Sequence, residues 1–186
     1  MKLFYLIPIL FFIVSCNTQD STKDINANKV IESLKAISKL GTAEYTLSKV
    51  LAGKDNQWYT IGDRRILMLI KAHVIVGIDA SLIQFTDVNT REKSIKLQIP
   101  AAEIITFDIP PDEIQILDKD VDKFRGSFTT TEINQYEQFG EKKILEQIKE
   151  LKINYEAEKN AKVFLERILR TAGFQSIEIT TQPSKE

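Results

Sequence analysis

From Ile66 to Ile78 the chain reads Ile-Leu-Met-Leu-Ile-Lys-Ala-His-Val-Ile-Val-Gly-Ile, and no other stretch limits the fold as tightly. A run this apolar is buried, and a single buried helix would fit it. The density of β-branched residues and the presence of Gly77 favour strands instead. Lys71-Ala72-His73 divides the run, so the expected reading is two buried strands, 66–70 and 74–78.

Around this centre the hydrophobic period changes several times. Val30, Leu34, Ile37 and Leu40 fall at helical spacing until Gly41, which predicts a helix over 27–40. Ala43, Tyr45 and Leu47 then alternate with polar residues, as a half-buried strand requires. Residues 52–63 hold Gly53, Asp55, Asn56, Gly62 and Asp63 and are expected to form a loop carrying Trp58 and Tyr59. A hairpin over 85–99 is expected to turn near Asn89-Thr90, bury Ile95, Leu97 and Ile99, and end at Pro100. Residues 104–109 and 113–117 are short strand candidates around Pro110-Pro111.

Beyond them the pattern turns helical. Thr129-x-x-Glu132 is a capping box, in which side chain and backbone satisfy each other's free amides at a helix start. Ile133, Tyr136, Gly140, Ile144, Ile148, Leu151 and Tyr155 keep one face, followed by Ala161, Phe164, Leu165 and Ile168. Gly173 is a natural stop, and Phe174, Ile177 and Ile179 alternate in a last strand. Some 40 residues of helix would span about 60 Å, more than a domain of this size is wide. The helix therefore breaks, with Gly140 as the candidate point, or projects and pairs with something. The expected class is α+β: an N-terminal helix, a largely antiparallel sheet of short strands, a long C-terminal helix and a short final strand.

The N-terminus carries an address. Lys2 precedes an apolar run over 3–14 and then the small residue Ser15, the layout of a secretory signal. Twelve residues are too few for a helix crossing a bilayer core of about 30 Å, which takes about 20. Ile13-Val14-Ser15-Cys16 resembles the lipobox of bacterial lipoproteins, which implies cleavage between Ser15 and Cys16 and acylation of Cys16. Each buried methylene of such chains contributes roughly 0.8 kcal/mol, and two chains already anchor stably. The expected division is a signal peptide over 1–15, lipidated Cys16 with a polar tether over 16–28, one domain over 29–180 and a polar tail over 181–186. Asn17 after the cysteine, by analogy with enterobacterial sorting, favours the outer membrane over the inner. Cys16 is the only cysteine, so it has no disulfide partner in the chain.

Composition excludes several functions. Without Lys2 the mature chain has 24 basic residues (25 less one) against 26 acidic ones, no footprint for nucleic acid. The one histidine, His73, sits inside the apolar run, where a structural role is the ordinary reading. With one histidine and one cysteine, zinc lacks its usual ligand set and Cys/His catalysis has no second member. No G-x-S-x-G elbow and no phosphate-cradling glycine loop occurs. Asp118-x-Asp120-x-Asp122 opens like a calcium loop, but Lys123 stands where the turn glycine belongs and Thr129 where the bidentate Glu belongs. No metal or cofactor is expected.

Taken in order, Leu40-Gly41-Thr42-Ala43-Glu44-Tyr45, Trp58, Gly62-Asp63-Arg64-Arg65-Ile66-Leu67, Gly77-Ile78-Asp79, Ile95-x-Leu97-x-Ile99-Pro100, Glu156-Ala157-Glu158-x-Asn160-Ala161 and Gly173-Phe174-x-x-Ile177-x-Ile179 resemble the bacterial domain family of unknown function numbered 4230. The likeness covers about residues 29–180. It implies a frequently membrane-anchored protein and brings no catalytic residue with it. Strands followed by a long helix and a "G-F-x-x-I-x-I" strand are also similar, more faintly, to the stomatin/prohibitin/flotillin domain, which assembles in rings on membranes.

The expectation is thus a lipid-anchored, periplasm-facing envelope protein with a non-enzymatic binding or assembly role. Its partners would be the membrane, through the acyl chains, and itself or another envelope protein through the long helix. Ile148, Leu151, Tyr155 and Phe164 are the candidate contact residues, with packing on the protein's own sheet as the equal alternative. The alternative is a binder of a small molecule or envelope polymer using the Trp58-Tyr59 loop. A carboxylate-dependent hydrolase comes third.

Overall fold

The computed structural model describes residues 26–55, 59 and 61–182. Ser15, Cys16 and Trp58 lie outside the described residues, with the expected signal peptide, most of the tether and the end of the tail. Asn26 caps α1 (Ala27–Lys35) by accepting the Lys29 amide at 3.1 Å. This helix ends five residues short of the expected 40. Ser38 takes a left-handed conformation and Leu40 pairs with Ile78, so the last apolar position of the helical pattern belongs to the sheet.

Two long antiparallel strands, β1 (Lys39–Asp55) and β2 (Arg64–Asp79), form the frame. Here the structure corrects two expectations. First, 66–78 is a single strand. From Ile66 to Ile78 every even-numbered residue is buried, and Lys71 and His73 fall on the opposite, half-buried face. The polar pair that suggested a turn is the outer face of one continuous strand. Lys71 meets Glu113 there at 2.8 Å, and His73 Nδ1 lies 3.4 Å from the Thr46 hydroxyl. Second, residues 52–55 extend β1, with Asp55 opposite Arg64, and only 56–63 remain as the connection.

After a short 3-10 turn come β3 (Gln84–Asn89) and β4 (Ser94–Ile99), the expected hairpin, in which Ile95, Leu97 and Ile99 are buried. β5 (Glu103–Asp108) and β6 (Ile114–Val121) then run end to end along the outer edge of β2. They are interrupted where Pro110-Pro111 force a turn, since proline cannot donate to the ladder.

The helical pattern resolves into α2 (Thr130–Glu150) and α3 (Ile153–Thr171). The break comes at Lys152, in the left-handed conformation (φ 50°, ψ 32°), and not at Gly140. Gly140 has a different use. A Cβ built there would stand 2.4 Å from Ile70 Cδ1, so the missing side chain lets α2 lie close on the sheet. The Thr129–Glu132 capping box forms with both of its hydrogen bonds. Gly173 (φ 110°) ends the helical part, and β7 (Ser176–Thr181) adds to β4 in parallel. The elements run from Ala27 to Thr181 and form two sheets, β1-β2-β5/β6 and β3-β4-β7.

One apolar core joins both sheets and all three helices. α3 contributes Ile153, Ala157, Ala161, Leu165 and Leu169, four residues apart and therefore on one stripe. α2 contributes Ile144 and Ile148, and α1 contributes Leu34. A smaller cluster of Ile66, Met68 and Phe128 closes the far end of the hairpin. The class is α+β, as the periodicity predicted.

Candidate functional site

Three places combine chemistry with accessibility, and the candidate residues divide among them. The first is a polar cluster where β1, β2 and α2 meet. The Arg64 guanidinium bonds Asp55 and, at 2.6 Å, Glu132, while Arg125 reaches the same Asp55 oxygen at 2.6 Å. Arg64 also lies over the Phe128 ring at 4.7 Å, and Phe128 meets Tyr136 edge to face. Glu132 further accepts the Thr129 amide at 2.7 Å. Its carboxyl is pulled down to about 2, first by the hydrogen bond from Arg64 and then by those from Thr129. The Arg64 pKa is raised in turn, by Glu132 and then by Asp55. A cleft of about 470 Å³ opens beside the cluster, past Gln135 and Phe139. Chemically this is a clamp. A general acid needs a carboxyl held up near the working pH, and Glu132 is shifted the opposite way.

The sequence offered Glu132 as a helix cap, Asp55 as a loop residue and Arg64 inside a family motif, and it linked none of them into a clamp. The signal available was thin: Asp55 and Arg64 stand nine positions apart around a connection, and their pairing follows only once β1 is known to extend to Asp55. The acidic Asp118-x-Asp120-x-Asp122 series is divided among other partners. Asp120 meets Arg65 at 2.8 Å, and Asp122 accepts the Asp63 amide at 2.7 Å. Among the described residues no group of three metal-ligating side chains converges.

The second place is the outer side of the helix pair. Ile148 is buried in the core, 5% exposed, whereas Leu151, Tyr155 and Phe164 are 50%, 66% and 41% exposed. The geometry of α3 accounts for this. Tyr155 lies two residues from both Ile153 and Ala157, about 200° around the helix from the buried stripe, and exposed Val163 bears the same relation to Ala161 and Leu165. Phe164 flanks the stripe. At the opposite end of the hairpin, Tyr59 is exposed together with Ile61 and Phe124.

The third place is a groove of about 640 Å³ between α1 and the C-terminal half of α3. Val30, Leu34 and Ile37 supply one wall, Ile168 and Ala172 the other, and Lys29 and Arg167 line it as well. The sequence showed the apolar stripe of α1 but not that it faces a gap.

No helix among the described residues is long and apolar enough to cross a membrane. Comparison with curated proteins and with solved structures finds no match, so the fainter ring-forming likeness gains nothing from them. A family profile described as "Protein of unknown function (DUF4230)" matches residues 32–179, a span that holds every motif quoted above for that resemblance. With most of its length inside that match, and with the α+β domain just described filling it, the chain belongs to the DUF4230 family.

Proposed function

We propose that the protein is a lipid-anchored domain of the bacterial envelope whose work is binding or assembly without catalysis, with a second copy of itself as the first partner to test. The observation that carries this reading is the exposure of large apolar side chains on the helical half, Leu151 at the junction of α2 and α3 and Tyr155, Val163 and Phe164 along α3. Exposed apolar side chains that join into a contiguous patch mark interaction surfaces. Charge fits the reading too. The clamp residues are tied to one another, and Glu132, the carboxyl with the largest shift, is held ionised and unsuited to proton donation.

Light scattering on the chain from residue 17 onward, over a concentration series, tests assembly. The expected result is a mass rising to a defined oligomer. The double variant Leu151→Asp/Tyr155→Asp should return it to the monomer with an unchanged circular-dichroism spectrum, because both positions are exposed. A monomer at every concentration overturns assembly through this face.

The anchor has a separate test. Cys16→Ser is expected to abolish incorporation of labelled palmitate and to leave the precursor uncut. Processing and membrane retention that persist in this variant would refute the lipoprotein reading. The alternative of a ligand loop keeps one observation in its favour, the exposure of the large side chains Tyr59, Ile61 and Phe124.

A further inference from the structure

We infer that the groove between α1 and α3 binds a free long-chain fatty acid, its alkyl chain along the apolar walls and its carboxylate at Lys29 and Arg167. The volume of about 640 Å³ lies within the 300–1,000 Å³ typical of small-molecule sites. The walls are hydrocarbon: Val30, Leu34 and Ile37 of the first helical pattern and Ile168 and Ala172 of the last turns of α3. An alkyl chain laid there gains stability from each part of its apolar surface removed from water.

The charges select the head group. Lys29 stands in the first turn of α1, the end of a helix that favours acids, and that turn contains no acid. Arg167 lines the groove from the other helix. Neither Lys29 nor Arg167 has a side-chain ion pair among the described residues, so both charges are available to a ligand in the groove. Two cations without an ion pair at an apolar groove complement an amphiphile that has one anionic end.

The groove also adjoins Asn26, ten residues after Cys16, so the chain's own acyl group is a competing occupant. A segment of ten residues reaches at most about 35 Å, and returning to the groove is within that span. An acyl chain attached through the protein carries no carboxylate, however, and would leave Lys29 and Arg167 unmatched. The inference stands independently of the assembly reading, because Leu151 and Tyr155, the residues varied in that test, precede Arg167 by about three turns of helix or more.

The test uses the chain from residue 16 with Cys16→Ser, so that no acyl group is attached, and the fluorescent fatty acid cis-parinarate as probe. One saturable site per chain is expected. Lys29→Gln with Arg167→Gln should weaken it about ten-fold, as the loss of charge-assisted hydrogen bonds predicts. The methyl ester of the probe should bind the parent protein about as weakly as parinarate binds that variant. Ser33→Trp should block the site while the circular-dichroism melt stays unchanged. No saturable binding, equal binding of acid and ester, or indifference to Ser33→Trp would each overturn the proposal. So would strong binding by the unlipidated chain that is absent from the native acylated protein, since the groove would then hold the chain's own lipid.

Discussion

Gly77→Ala is expected to cost the domain at least about 3 kcal/mol, enough to leave many domains of ordinary stability partly unfolded. Gly77 lies inside β2 between β1 and β5, and it interrupts the alternation, with Val76, Gly77 and Ile78 all buried. A Cβ at this position would stand 1.9 Å from the Leu40 carbonyl oxygen and 2.7 Å from Ile105 Cδ1. The first of these neighbours is backbone, so no side-chain rotation relieves it. The strand would have to part from β1 where a bulge between Gly41 and Ala43 already shifts the register. Gly126→Ala serves as the control, because a Cβ there meets nothing within 4 Å. Urea denaturation followed by circular dichroism measures both. A Gly77→Ala protein with the parent's midpoint would mean that β1 and β2 do not approach as described.

Arg64→Met is expected to lose about 2 kcal/mol at neutral pH and also to change how stability depends on acid. The side chain is only 12% exposed and satisfies Asp55 and Glu132 together. Breaking a buried ion pair costs about 3–5 kcal/mol in general. The lower figure applies because Arg125 still pairs with Asp55, and because Glu132, about a third exposed, is partly screened by water. The sign of the pH effect follows from the lowered Glu132 carboxyl. Its folded pKa of about 2 lies below the ordinary 4.5, so its contribution is complete above about pH 4.5 and is lost as pH falls towards 2. Removal of the Arg64 bond, the larger cause, should flatten that acid limb and leave the smaller part due to Thr129. Melting temperatures between pH 5 and pH 2, parent against variant, decide the matter. An acid limb of unchanged steepness in Arg64→Met would assign the shift to the helix cap alone.

Much of the frame was legible because it rests on local rules. Ile95, Leu97 and Ile99 alternate, and they are buried as alternation requires. Thr129 and Glu132 stand three apart at a helix start and close the capping box, since that geometry needs only one turn of backbone. Gly173 ends a helical run in the left-handed conformation that glycine adopts without a Cβ clash. Elsewhere the local signal was ambiguous. Lys71 and His73 resembled a turn until the face they occupy was known. Gly140 resembled a break, although a glycine opposite Ile70 serves close packing, whereas Lys152, with no local mark of a turn, took the left-handed bend.

The amino-acid sequence by itself determined the α+β class, the burial of 66–78 and the start and stop of the helical half, because periodicity and capping act within a few residues of the chain. Its N-terminal motif also carries the expectation of a lipid anchor. Only the tertiary structure decided that Arg64, Asp55, Arg125 and Glu132 form one clamp, that Leu151 and Tyr155 face outward while Ile148 faces in, and that Val30 and Ile168 share a groove. Each of those depends on elements far apart in the chain being brought together, and contacts of that kind are set by how whole faces pack and leave no mark in local spacing.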